Sequence, residues 1–226
     1  SRSTRSAPER AALMIGTSGA LRVLREDDGS APRPGLFLYR LDERRLVEGG
    51  SLSDGGNLYA WLERTLRLPD DARPAEREPD GHGLTFLPLL GGERSPGWSI
   101  GSRGAIAGLS FATTPADLLQ AALEGVAYRF AEVADLLPEV TEVVATGAAL
   151  AQNEDWAQIL ADVLGRPVLR GVREGSARGA AVLALERLGA SPPVAEPGDG
   201  FHPRPDRAEA YRSARERHRD LYRGVT

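Results

Sequence analysis

The chain has 226 residues, 41% hydrophobic and 27% charged, with a net charge of −4 and no cysteine. A globular protein of one large or two small domains fits that composition; nucleic acid and anionic membrane are disfavoured as partners, and disulfides, thiolate metal centres and a cysteine nucleophile are excluded. No apolar run is long enough to span a bilayer and the start, SRSTRSAPER, lacks the apolar core of a signal peptide, so a cytoplasmic location is the expectation.

Residues 1–10 are polar and read as a flexible lead-in. Because the chain opens on Ser rather than Met, a processed product or an excised piece is expected. Residues 11–24, AALMIGTSGALRVL, are two apolar runs joined by Gly16, Thr17, Ser18 and Gly19, the pattern of a tight β-hairpin. A Gly/Pro/Asp loop follows over 26–34, a third strand over 35–41 (GLFLYRL), and a Gly-rich connection over 48–53. Ser53 is placed to cap a helix over 54–66, with Leu58, Trp61, Leu62 and Leu66 on one face and Asp54 as a first-turn acid. Residues 84–90 (LTFLPLL) form a fully apolar strand or buried segment, and 104–109 a second short apolar run. Thr113 or Thr114 caps a long helix with Pro115 in its first turn, running to about Leu137.

The last third alternates. A strand over 142–146 leads through a turn at 147–152 into a helix over 154–164, then a strand over 167–172 and a helix over 176–188. A Pro-rich crossing (190–205) and a charged helix (206–222) end the chain. Three meandering strands, a helix and then β-α-β-α predict an α/β fold, a mixed sheet with flanking helices in the order of an actin-like, ribonuclease H-like ATPase domain. That domain is placed at 11–190, with 191–226 packed on it as a crossing and a helix.

Three glycine-bearing turns carry the chemistry: Gly16–Gly19, Gly55-Gly56, and Thr146-Gly147-Ala148. Open α/β sheets bind ligands outside the carboxyl ends of their strands. Backbone N–H groups and hydroxyls at a sharp turn suit a phosphate. Small residues at Gly147 and Ala148 let a base or ribose lie on the backbone. The helix that starts near Asn153 points its positive end the same way, worth about 0.3–1 kcal/mol per favourable charge. Each turn alone reads better as an ordinary turn; the three on one face raise a nucleotide site to an equal footing with that reading. Glu93 and Arg94 follow the apolar 84–90 segment and read first as a structural ion pair. Trp61 and Trp156 read as core. His82, His202 and His218 show no ligand spacing, so no transition-metal site is expected. An apolar patch around 84–98 is expected to face a partner, and in isolation to drive a homodimer.

Six segments, in order, resemble the C-terminal half of the FGGY family of carbohydrate kinases: MIGTSGALRV, GGSLSDGGNLYAWL, LTFLPLLGGERSPGW, GAIAGLSFATTPADLLQAALEGVAYRF, VVATGAALAQNEDWAQILADVLGRPV and EGSARGAAVLALERLG. Gly108, Asp117 and Glu124 fall at the spacing of the family's second signature. The resemblance implies that Thr17 contacts the β/γ-phosphates of ATP, with Gly16, Ser18 and Gly19 shaping the loop. It implies that Gly56 lies near the α-phosphate or ribose, that Gly147 and Ala148 lie against the adenosine, and that Asn153 lies near the adenine. Ala148 departs from the family's usual Gly pair and tightens the pocket. The family has a similar Gly-Glu-Arg run near its interdomain cleft, which implies a substrate contact as the alternative for Glu93 and Arg94. The implied reaction transfers the ATP γ-phosphoryl to a sugar or sugar-acid hydroxyl with Mg²⁺, gluconate being favoured and xylulose next. The implied partner is an N-terminal kinase domain that holds the sugar and supplies a base aspartate from a Gly-Asp motif. Residues 1–15 contain no aspartate, so no catalytic residue is assigned here and the chain alone is expected to be inactive. A non-catalytic nucleotide-binding regulatory or assembly module of actin-like fold is the competing reading.

Overall fold

The computed structural model describes residues 10–138 and 140–225; the lead-in, apart from Arg10, lies outside them. A mixed seven-stranded sheet forms the frame, in the order β3-β4-β2-β1-β7-β8-β9. The hairpin is β1 (Arg10–Ile15) with β2 (Gly19–Glu26), antiparallel, with Ile15 opposite Gly19. Outside it lie β3 (Phe37–Arg40) and β4 (Arg45–Leu52). On the other side β1 pairs in parallel with β7 (Glu142–Thr146), which pairs in parallel with β8 (Val168–Arg170); β9 (Gly198–Phe201) closes that edge antiparallel.

The expected Gly-rich connection at 48–53 is instead most of β4, the longest partner of β2. Its glycines are there for space. A Cβ on Gly50 would sit 2.6 Å from Val133 Cγ2, and one on Gly49 would meet the Leu21 carbonyl. The Pro-rich crossing likewise contains β9.

One face of the sheet carries the core. Ala11, Leu13 and Ile15 of β1 and Leu21 and Val23 of β2 point into it, the alternation of a strand with one buried side. They meet α2 (Pro115–Leu136) and α4 (Glu154–Leu164), with α6 (Ala208–Val225) packed outside. The start of α2 is fixed as expected: Thr114 and Asp117 form a reciprocal capping box behind Pro115. Trp156 is fully buried and donates its ring N–H to the Leu123 carbonyl at 3.2 Å, joining α4 to α2; Trp61 is partly buried at the edge of the core.

The short α1 (Gly56–Thr65) starts later than expected, and Ser53 does not cap it. Asn57 does that work, its side-chain oxygen accepting from the N–H of Gly55 and of Leu58, both at 2.8 Å. The turn at 147–152 holds a single helical turn, α3 (Ala148–Ala151). A two-stranded ladder, β5 (Thr85–Leu87) with β6 (Ala105–Ala107), packs on α2 and α6. Leu84, Phe86, Leu87 and Leu89 are therefore buried, and the exposed apolar surface expected across 84–98 is confined to Leu90 and Trp98. The last helix of the α/β series is α5 (Gly175–Arg187).

Candidate nucleotide site

Parallel pairing of β1 with β7 puts Met14 beside Thr146, so both strands end side by side and their turns leave from one edge. The Gly16–Gly19 turn spends its carbonyls on α1: Gly56 N–H donates to Gly16 O at 2.7 Å, and Asn57 N–H to Thr17 O at 3.1 Å. Within the turn Gly16 N–H donates to Ser18 O at 2.9 Å, and the donors of Thr17 and Ser18 are left over. Among the described residues the Thr17 and Ser18 amides and hydroxyls have no hydrogen-bond partner, and Thr17 is exposed. A turn with carbonyls tied back and two consecutive N–H groups free offers donors to an anion.

The glycines keep these turns close. A Cβ on Gly56 would sit 2.6 Å from Gly16 O and 3.3 Å from the Ala149 Cβ, and one on Gly55 2.9 Å from the Ser18 backbone. All three turns thus meet at one point. Gly147 has φ +106°, and a Cβ there would be driven into the Ile15 backbone. Glycine at this position is demanded by the close approach of the Ile15 backbone and by the positive φ.

Beside the turns lies a cavity of about 570 Å³. One wall is Met14, Thr146, Gly147 and Ala148; the other is formed by Arg170 to Ser176 and by Phe201. Arg170 stacks over the Phe201 ring, 5.0 Å from its centroid, and pairs with Glu154 at 2.6 Å across the mouth. These three residues were not singled out from sequence. They converge only because β8 pairs with β9, and the Pro-rich context of β9 carries no strand pattern.

The C-terminal domain of the FGGY family of carbohydrate kinases matches residues 11–186. The chain belongs to that family. It is 33% identical over 199 residues to a gluconokinase from Bacillus subtilis (strain 168), covering 79% of this chain and 39% of that protein. Among solved structures, the xylulose kinase of Lactobacillus acidophilus superposes with a TM-score of 0.85 at 26% identity, over 96% of this chain and 47% of the other. The gluconate kinase of the same organism gives 0.84 at 25% identity, over 96% and 47%. The chain thus spans less than half the length of these FGGY relatives.

The remaining candidates divide. Gly147 and Ala148 line the cavity, while Gly16, Thr17, Ser18, Gly19 and Gly56 lie at the adjoining turns and do not line it. Asn153 does not line the cavity; its side chain accepts from the Trp156 N–H at 2.9 Å and caps α4, while the next residue, Glu154, faces the opening. Glu93 is buried and ion-paired to the equally buried Arg129, and it also accepts from Tyr222 OH at 2.8 Å and Gly97 N–H at 3.2 Å. Arg94 is exposed, with no side-chain partner among the described residues. Asp54 is no first-turn acid. It precedes α1, is buried, and accepts from the backbone N–H of Leu90 and Gly91; loss of water pushes its carboxyl up to about 6.

Asp80, His82 and Glu124 approach one another within 4.8 Å, a grouping that spacing alone did not signal. Their hydrogen bonds occupy them. Leu84 N–H donates to His82 Nδ1 at 2.9 Å, which assigns the ring proton to Nε2, facing Glu124 at 3.1 Å. In that tautomer Nε2 has no lone pair for a metal. Glu124 also accepts from Gln120 at 2.8 Å and Tyr128 at 3.1 Å, tying the 78–84 loop to α2.

Proposed function

We propose that this chain is the ATP-binding half of a sugar or sugar-acid kinase, with gluconate the favoured acceptor and xylulose the next. The observation that carries it is the Gly16–Gly19 turn, whose unpaired donors sit beside a nucleotide-sized cavity at the carboxyl ends of β1 and β7. The similarity to gluconokinases favours the substrate. The residues fit the nucleotide: Thr17 and Ser18 supply N–H and hydroxyl donors for terminal phosphates, while Gly147 and Ala148 offer a flat wall for the adenosine. When bound, MgATP supplies the γ-phosphoryl group, its cation offsetting phosphate charge and retaining much of its own water. No side chain of this chain is assigned to Mg²⁺.

The chain's own part is binding and orientation. The turn fixes the phosphates from behind, and the helix contacts at Gly56 and Asn57 hold the turn. The base that takes the sugar hydroxyl proton belongs to the other half, as does the sugar pocket. Absence of a general base costs about 10²–10⁴ in rate, and lost positioning about 7–11 kcal/mol of barrier.

Calorimetric titration with MgADP and MgATP, followed by a coupled ADP-release assay with gluconate, xylulose and glycerol, tests this. Nucleotide binding without sugar-dependent turnover is expected from the 226-residue chain, and turnover once the upstream half is present. No binding at millimolar nucleotide would sink the reading. Turnover by the chain alone would place the base within it. Binding without turnover even with the upstream half present would favour a regulatory module.

A further inference from the structure

A buried acid, Asp54, stands against the Gly16–Gly19 turn. It adjoins Gly55, and Gly55 is seated on the turn: a Cβ there would lie 2.9 Å from the Ser18 backbone. The next two amides hold the turn from the same segment, Gly56 N–H on Gly16 O at 2.7 Å and Asn57 N–H on Thr17 O at 3.1 Å. Asp54 is thus one residue away from the backbone that touches Ser18, whose donors are free.

Its surroundings hold no cation for it. Asp54 is 3% exposed, and among the described residues it has no ion pair. It accepts from backbone N–H groups, Gly91 at 3.3 Å and Leu90. A hollow of about 10 Å³ beside it, room for about one water, is lined also by Glu93 and Arg94 of the loop and by Arg129 of α2. Arg129 is taken by Glu93 and Glu132, and Arg94 is exposed. The turn and the start of α1 bring only Thr17, Ser18, Gly55, Gly56 and Asn57, none of which carries charge.

Two penalties therefore fall on an ionised Asp54. Loss of water is the first; it acts in the free protein and raises the carboxyl to about 6. The second arises only when phosphates occupy the turn. They are a like charge at short range, and between them and a buried carboxylate salt screens little. Protonation of Asp54 removes both.

We propose that Asp54 is the proton acceptor of the nucleotide site: phosphates are received at the turn with Asp54 neutral, and binding draws a proton from solvent onto one of its carboxylate oxygens. The proposal rests on reading the turn as the phosphate seat. Asp54 does not touch the nucleotide. It is a positioning residue that holds Gly55 against the Gly91 backbone and changes charge as the phosphates arrive. The sign follows from linkage. As pH falls through about 6 the free protein gains this proton unaided, so affinity rises over that range, and uptake on binding is largest just above it.

Calorimetric titration with MgADP in two buffers of different ionisation enthalpy counts the protons. Near pH 6.5 about half a proton is expected per nucleotide, the amount for a roughly tenfold difference in affinity between the two forms of Asp54. Asp54→Asn keeps an acceptor for the backbone N–H groups and carries no charge. It is expected to take up about half a proton less than wild type, and to bind roughly tenfold more tightly at about pH 8 and equally at about pH 5. Protons exchanged by the nucleotide itself cancel in that difference. Asp54→Ser, also an uncharged acceptor, takes its place if a urea transition shows Asp54→Asn to be unfolded. Equal proton uptake in wild type and variant overturns the proposal and leaves the nucleotide site standing. So does a ratio of dissociation constants that stays the same from pH 5 to 8. No heat from wild type at millimolar nucleotide removes the phosphate seat and the proposal with it.

Discussion

The Gly16–Gly19 turn and the Glu93 loop are both polar, both follow an apolar strand, and both looked like site residues in the sequence. They differ in where their hydrogen-bonding capacity goes. At the turn the Gly16 and Thr17 carbonyls are tied to α1, and among the described residues the amides and hydroxyls of Thr17 and Ser18 have no partner. At Glu93 the carboxylate is out of water and accepts from Arg129, Tyr222 and Gly97. A polar group that the fold has already satisfied is part of the scaffold. One that it holds in place unsatisfied is available to a ligand.

Substitutions test that division, starting with the largest effect. Gly147→Val is expected to prevent folding rather than merely block a pocket, because its Cβ enters the Ile15 backbone at a φ of +106°. The cost is about 3 kcal/mol or more, seen as loss of the cooperative urea transition. A folded Gly147→Val protein that fails only to bind nucleotide would mean the glycine serves the ligand alone. Glu93→Ala is expected to cost about 3 kcal/mol by stranding the buried Arg129, with Glu132 left as its remaining partner. If Glu93 were instead a substrate contact, stability would stay within about 0.5 kcal/mol of wild type.

Two buried titrating groups pull stability in opposite directions as pH falls. Burial holds His218 down to about 3, so it stays neutral in the fold while the unfolded chain takes up a proton below about 6.5. Stability tied to His218 is therefore lost as pH drops from 6.5 toward 3. Asp54, raised to about 6, is the reverse: its ionised form is penalised above that pH, and the penalty disappears as pH falls toward 3.8. Asp54→Asn is expected to stabilise at pH 7.5 by on the order of 1–2 kcal/mol, with the gain fading by pH 4. His218→Leu is expected to gain on wild type as pH is lowered over the same range. Denaturant midpoints across pH 4–7.5 measure both, and a pH-independent difference for either variant would remove that group from the argument. The smallest stability effect is expected at the turn itself. Thr17→Ala is expected to leave stability within about 0.5 kcal/mol of wild type while weakening nucleotide binding about tenfold, near 1.4 kcal/mol. Unchanged affinity would move the phosphates elsewhere.

The elements legible in sequence were those with a clean period or cap. The β1–β2 hairpin, the Thr114-capped α2, β7 and α4 needed only local signals. β4 was hidden because Gly49 and Gly50 read as a turn; the reason for them, the approach of Leu21 and Val133, is made by residues far away in sequence. Ser53 lost its capping role to Asn57, which serves both Gly55 and Leu58. The three glycine turns could be found from composition, and their convergence could be guessed from sheet topology. The outer wall of the cavity could not, because Arg170 meets Phe201 only through a strand pairing within a Pro-rich segment.

The pairing of β1 with β7 also has a timetable. Arg10 and Glu142, salt-bridged at one end of that ladder, are 132 residues apart. At 5–20 residues per second, β1 leaves the ribosome roughly seven to twenty-six seconds before its central neighbour has been made. During that time Leu13 and Ile15 have β2 beside them but neither β7 nor α4 over them. A nascent hairpin of this length, apolar and open along one edge, is the stage of synthesis at which a chaperone that holds short apolar strands has most to protect.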